Sequence, residues 1–295
     1  MTLDLLLTTL SAQLFTGLVL GTIYVLLALG LSLIFGLLTV VNFSHGSLYM
    51  LGAYLGFSVL SLTGNFWLAL LAAPVMLAFL GLVVERSLIR PLYGRSIDDP
   101  LLLTFGLSLI LIEAARLIWG KLGLTFDPPA ALAGSVNLGF IYFPSYRLFV
   151  ICVTAVVVIA LALFLGRTDL GLIVRAGTRD PLMVRALGID LNRVWLLVFG
   201  IGCGLAGLAG VLAAPMRGVY AEMGVTVIIE SFVVVVVGGM GSLAGAVVAG
   251  LLMGEVVSLT TLVAPKMADI VVFIVMAVVL MVRPSGFFGE AGLME

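Results

Sequence analysis

The sequence predicts an all-α polytopic membrane protein of about eight or nine transmembrane helices, some of them broken or re-entrant. Three observations carry that reading. Hydrophobic residues make up 63% of the 295 residues and charged residues only 10%, where an ordinary globular domain has about 25% charged; mean hydropathy is +1.33. Apolar runs of about 18 residues or more, long enough to cross a hydrocarbon core of about 30 Å, recur from end to end. Polar or glycine-rich breaks stand inside or beside those runs, and hydrocarbon tolerates irregular backbone only where protein buries it or water reaches it.

Taken in order, the predicted spans are 13–35, 45–62, 66–84, 100–118, 147–165, 194–214, 225–240, 244–262 and 267–282. The first follows Met1-Thr2-Leu3-Asp4, which lacks a basic n-region, and its apolar run exceeds a signal h-region, so it reads as a retained span. The second opens on Asn42-Phe43-Ser44-His45-Gly46, with the single histidine of the chain. The fourth carries Glu113 and Arg116 at i, i+3, spaced to pair on one face. The seventh is short for a crossing. It holds Glu230 and runs into Val237-Gly238-Gly239-Met240-Gly241-Ser242, which breaks a helix. No polar stretch is long enough to form a separate soluble domain, so residues 1–295 read as one transmembrane domain.

Orientation follows from arginines in short loops. Arg86, Arg90 and Arg95 follow the third span; Arg167, Arg175, Arg179, Arg185 and Arg193 lie between the fifth and sixth. Both loops are therefore expected on the cytoplasmic side, with the N-terminus outside and Arg283 inside if spans seven and eight both cross. Glycine is abundant, with 35 residues. Gly200, Gly204 and Gly207 share one helical face, and Gly202 and Gly210 another, spacings that let helix backbones pack closely in lipid. A candidate internal repeat links Gly46-Ser47-Leu48, at the second span, with Gly241-Ser242-Leu243, at the eighth.

The composition excludes several classes. A net charge of -1 and the absence of a basic block argue against nucleic acid as a partner. Cys152 and Cys203 lie inside apolar runs and read as small buried hydrophobes. His45 has no second His, Cys or carboxylate at ligand spacing, so no metal site is expected. No G-x-x-x-x-G-K-[ST] loop occurs, so the chain holds no ATP by that motif.

Four places remain as candidates for function. Asn42, Ser44 and His45 either line a substrate path or simply cap the second span, and both can hold at once. Gly238, Gly239, Gly241 and Ser242 form either a hairpin turn or a path-lining break. In the loop 166–193, Thr178 and Asp180 are candidate N-caps, Pro181 suits a first helical position and Gly188 a stop. Leu182, Met183 and Leu187, exposed among charges there, favour docking of a soluble partner. Intramembrane carboxylates are functional suspects, Glu230 above all, with Glu255 beside the glycine break.

The chain resembles the branched-chain amino-acid ABC permeases of the LivH type. The resemblance rests on Gly21-Thr22-Ile23-Tyr24, Ala28-Leu29-Gly30-Leu31, Ile34-Phe35-Gly36 and Val41-Asn42-Phe43-Ser44-His45-Gly46. It continues through Arg175-Ala176, Asp180 and Ala186-Leu187-Gly188-Ile189. It returns at Gly207-Leu208-Ala209-Gly210-Val211-Leu212, at Gly238-Gly239-Met240-Gly241-Ser242 and at Arg283-Pro284-Ser285-Gly286-Phe287-Phe288-Gly289. Members of the family often carry alanine where this chain has Ser44.

The resemblance implies a multi-pass permease in the bacterial inner membrane, in contact with membrane lipid and importing leucine, isoleucine or valine. It would work beside a second permease of the same superfamily, with two ATP-binding subunits and a periplasmic binding protein. The chain itself would hold no cofactor, ATP acting through partner subunits. Arg175, Asp180, Leu182, Met183, Ala186 and Gly188 would then belong to a coupling helix seated in an ATPase cleft. Urea and short-chain-amide permeases share much of the signature. An ion-coupled secondary transporter, or a scaffold that transports nothing, is the alternative of another class.

Overall fold

The computed structural model describes residues 3–289 apart from 39, 97, 138 and 140, and it is helical almost throughout. The helices are α1 (Leu3–Leu38), α2 (His45–Thr63), α3 (Phe66–Val84), α4 (Asp98–Trp119), α5 (Ser145–Arg167), α6 (Asp169–Arg179), α7 (Pro181–Ala186), α8 (Leu191–Arg217), α9 (Met223–Gly238), α10 (Leu243–Val263) and α11 (Ala268–Val282). Eight helical stretches among the described residues are long and apolar enough to cross a bilayer, and α9 is a shorter apolar helix. At 1.5 Å per residue, its 16 residues reach about 24 Å.

Most expected spans hold, with longer ends. The first extends to 36 residues. The third runs past Val84 through a π-helical turn (Glu85–Ile89) and a 3-10 turn (Arg90–Leu92). Between α2 and α3, Gly64 takes φ 67° and Asn65 accepts from the backbone N–H groups of Trp67 and Leu68 at 2.9 and 3.2 Å. The chain thereby reverses in two residues with the first N–H groups of α3 satisfied.

The helices sort into a buried centre and a lipid-facing rim. Residues 21–34 of α1 are all buried, and α8 is likewise largely enclosed. On α5 only Tyr146, Val150, Thr154, Leu161 and Leu165 are buried, a single stripe at helical spacing, and on α11 only Val272. Lipid is as apolar as leucine, so burial against it gives helices little reason to associate; close backbone packing does. The glycines of α8 supply that packing. Gly200, Gly204 and Gly207 face Ala78, Pro74 and Leu77 of α3, Gly202 faces Gly30 and Ile34 of α1, and Gly210 faces Tyr49 and Ala53 of α2. Three helices therefore meet one through faces that a methyl group would fill. Cys203 is buried as expected, but Cys152 is exposed on the rim, where an apolar thiol faces lipid at no cost.

The loops separate into two ends. The arginine-bearing segments after α3 and around α6 and α7 meet: the Tyr93 and Trp195 rings lie 4.8 Å apart, and Leu37 and Leu38 of α1 share a cavity with Gly177 and Arg185. At the opposite end, Leu124 and Val219 exchange backbone hydrogen bonds of 2.8 and 3.0 Å, and a short antiparallel ribbon pairs Ser135–Asn137 with Tyr142–Pro144. The chain after α11 folds back: the Phe287 and Phe288 N–H groups donate to the Val237 and Gly238 carbonyls at 2.9 and 3.0 Å. Carbonyls that the end of α9 would otherwise leave open are thus satisfied.

Candidate translocation core and coupling surface

The polar break sits within the bundle, below the start of α4. The Phe43 N–H donates to Thr104 Oγ1 at 3.1 Å, Thr104 donates to the Val41 carbonyl at 3.3 Å, and the Ser47 and Ser108 hydroxyls meet at 2.8 Å. Thr104 and Ser108 stand six and ten residues into α4, so α2 begins about 9–15 Å inside that helix's start. Asn42, Ser44 and His45 have no solvent exposure. Neither Asn42 nor Ser44 caps α2 by its side chain, contrary to the capping expectation. Instead Asn42 Oδ1 accepts from the Ser44 N–H at 3.1 Å and from the Ser44 hydroxyl at 2.6 Å, closing the turn on itself. The α2 start spends its polar groups inside the loop because protein, not water, surrounds it.

Gly30 leaves the room that His45 fills: a methyl there would stand 2.9 Å from His45 Cε1 and 2.7 Å from the Gly202 carbonyl oxygen. The imidazole faces the Leu27 carbonyl, with neither ring nitrogen in hydrogen-bond geometry. Gly46 backs onto the Gly224 carbonyl and Ile228 of α9, and Phe43 packs on Phe232 with ring centroids 5.1 Å apart.

The second break is a turn at the arginine-rich end. Gly239 and Gly241 take φ 99° and 80°, conformations that strain any residue with a Cβ. Ser242 Oγ accepts from the Gly245 N–H at 3.1 Å and caps α10. Gly36 of α1 and Gly241 meet backbone to backbone. The two repeat-like glycine starts thus occupy unlike settings, one enclosed at depth and one at an end. Neither carboxylate expected beside this turn lies there. Glu255 is more than three turns along α10, against Gly17 of α1, and Glu230 is two turns back along α9.

Glu230 belongs to a cluster that the sequence left unassembled. The Tyr24 hydroxyl, from α1, faces both the Glu230 carboxylate and the Arg217 guanidinium. Tyr49, from α2, faces Arg217, Glu230 and Tyr220. Tyr24 and Tyr49 are fully buried, whereas Arg217 keeps solvent access although residues 209–214 before it and Val219 after it are buried. One signal was available: Arg217 is an isolated arginine between two apolar runs, at the end otherwise poor in arginine. Beyond the cluster, Arg116 pairs with Glu113, as expected from spacing, and also with Glu222. The hydrogen bond from Arg116 holds the Glu222 carboxyl below its ordinary range.

At the arginine-rich end, two helices stand where the loop 166–193 suggested one. Thr168 caps α6 by accepting from the Gly171 N–H at 3.0 Å, and Asp180 caps α7 by accepting from the Met183 N–H at 2.9 Å. Thr178 caps nothing; its hydroxyl donates to the Arg175 carbonyl. Gly188 takes φ 82° and ends the segment. Leu182, Met183 and Leu187 are 76%, 59% and 72% exposed, while Val184 between them is buried. Arg175, Asp180, Ala186 and Gly188 are exposed as well.

A side-chain chain missed in the sequence ties α7 to the body. The Arg185 guanidinium lies over the Trp195 ring at 4.9 Å, Trp195 meets Tyr93 edge-on, and the Tyr93 hydroxyl donates to Glu85 Oε1 at 2.7 Å. Burial raises the Tyr93 hydroxyl's pKa and the bond to Glu85 pushes the same way, so the phenol keeps the proton it donates. Beneath α7 lies a cavity of about 480 Å³, lined among others by Leu37, Tyr93, Leu182 and Trp195. Among the described residues no three His, Cys, Asp or Glu side chains converge on a metal-sized site.

Comparison with known proteins follows the same lines. The family model for the branched-chain amino acid transport system permease component matches residues 13–280. The chain is 32% identical over 292 residues to the high-affinity branched-chain amino acid transport system permease protein BraD of Pseudomonas aeruginosa, covering 94% of this chain and 95% of that one. It is 30% identical over 295 residues to the LivH permease of the same system in Escherichia coli, with the same coverage. With the LivM permease of Escherichia coli it shares 29% identity over 257 residues, covering 78% of this chain and 60% of LivM. No solved structure matches. Multi-pass helices, glycine-mediated packing and a match over nearly the whole length lead to one conclusion: the chain belongs to the branched-chain amino acid transport system permease family.

Proposed function

We propose that this chain is one permease subunit of a bacterial inner-membrane ABC importer for leucine, isoleucine and valine. It pairs with a second permease of the LivM kind, receives substrate from a periplasmic binding protein and is driven by two ATP-binding subunits. The chain binds no ATP and catalyses no reaction itself. Alternating access opens the path past Asn42, Ser44 and His45, past Glu230 and past the turn of Gly238, Gly239, Gly241 and Ser242.

The observation that carries this reading is α7. A six-residue helix that exposes Leu182 and Met183 to water at the arginine-rich end, while anchored through Arg185 to Trp195, suits insertion into a soluble partner's cleft. Arg175, Asp180, Ala186 and Gly188 frame it.

The test is leucine uptake into proteoliposomes with and without the ATP-binding subunits, beside co-purification of those subunits with a Leu182→Asp/Met183→Asp variant. Uptake should require the ATPases and ATP, and the variant should insert normally but lose them. Uptake by this chain alone on a proton or sodium gradient would overturn the proposal, as would normal co-purification of the variant.

A further inference from the structure

Ionisable side chains within the apolar bundle are costly and persist where they pair or serve a path. Arg217, at the end of α8, and Glu230, midway along α9, are opposite charges that feel one another. Yet they form no ion pair within 4 Å among the described residues. Glu230 Oε2 is buried without a hydrogen-bond partner, and so is the Tyr49 hydroxyl. The Tyr24 hydroxyl faces both charges. Glu230 Oε2 has lost water without gaining a partner, a cost that a pair kept only for packing would relieve by closing on itself. The groups around it come from four helices, and Arg217 remains reachable by solvent.

We propose that Arg217 and Glu230, with the Tyr24 and Tyr49 hydroxyls, form a site that holds the charged head of a free α-amino acid in transit. The guanidinium takes the α-carboxylate, its planar fork suited to two parallel N–H···O bonds. Glu230 takes the α-ammonium, and the tyrosines complete the hydrogen bonding of both. A zwitterion satisfies both charges at once, whereas a neutral amide or urea brings no cation to the buried Glu230 oxygen. The site thus selects amino acids from the other substrates of similar signature, while leaving side-chain preference to other contacts. Its position, reached from the end opposite α7, places it on the route of entering substrate. The inference rests on the permease reading above and assigns the residues that hold the substrate's charged head on the same path.

The experiment uses the assembled importer in proteoliposomes with its binding protein and labelled leucine. Arg217→Gln/Glu230→Gln keeps the site's net charge and should assemble with the ATPases while lowering uptake at least tenfold, the scale of one lost charged hydrogen bond. Tyr49→Phe removes one unpartnered hydroxyl and should raise the KM for leucine several-fold with assembly unchanged. Wild-type uptake by the double variant, or, should it fail to assemble, an unchanged KM for Tyr49→Phe, overturns the site while leaving the permease reading intact. Failure of the wild-type assembly to take up any amino acid overturns the reading beneath it and the site with it.

Discussion

Replacing Gly30 by alanine tests whether the core is held by backbone contact between helices. The added methyl would stand 2.7 Å from the Gly202 carbonyl oxygen and 2.9 Å from His45 Cε1. Ordinary contact begins near 3.4 Å, so α8 and the His45 ring must each give by about half an ångström or more. Neither is the free end of a flexible side chain: one is backbone and the other a fully buried ring. Forcing an extra methyl into such a core costs about 1–3 kcal/mol. The control is Gly106→Ala on α4, where the new methyl meets nothing within 4 Å and alanine's lower backbone entropy is neutral to favourable by about 0.5–1 kcal/mol. Thermal unfolding of the purified complex in detergent reads the difference, at roughly 2–4 °C per kcal/mol. Gly30→Ala should melt several degrees below wild type and Gly106→Ala at or above it. Equal midpoints for the two variants would refute close packing as the source of stability.

Asn42→Leu should strand the buried Ser44 N–H and hydroxyl, costing about 1–3 kcal/mol; a melting curve shows the loss, and transport should fall beyond what lost assembly explains. Unchanged uptake would remove Asn42 from the path. Trp195→Ala removes the ring under Arg185 and the edge contact to Tyr93. It should slacken α7, so that ATP hydrolysed per leucine imported rises at least twofold while ATPase co-purification persists; an unchanged ratio would show that the Arg185–Trp195–Tyr93 chain transmits nothing. Because Arg116 lowers the Glu222 carboxyl in the folded state, their contribution to stability is present above the ordinary carboxylate range and is lost as pH falls through the folded value. Glu222→Gln should flatten the acid limb of melting temperature against pH slightly, the pair being exposed and screened; an acid limb as steep as wild type's would dismiss the pair.

The parts that could be read in advance are those governed by local chemistry. Asp180 before Pro181 and Gly188 at the stop bracket α7 because caps and left-handed glycines act within a few residues. Gly200, Gly204 and Gly207 share a face because the helix period is fixed. The cap role of Asn42 and Ser44 fails for the opposite reason: whether a hydroxyl turns to a helix end or to its own loop depends on what surrounds it, and the loop is enclosed by distant elements, with Thr104, some sixty residues away, bonded to its backbone.

From its sequence alone this chain was determined to be a bundle of bilayer-length helices with its arginine loops on one side, because apolar length and charge asymmetry are properties of consecutive residues. Its α7 signal was equally local. Only the tertiary structure decided that the polar break is enclosed at depth, that Glu230 stands away from the glycine turn, and that Arg217, Tyr24 and Tyr49 gather around it. Those residues lie on different helices, and in lipid the approach of helices is set by which small faces interlock, a relation that no single stretch of chain contains.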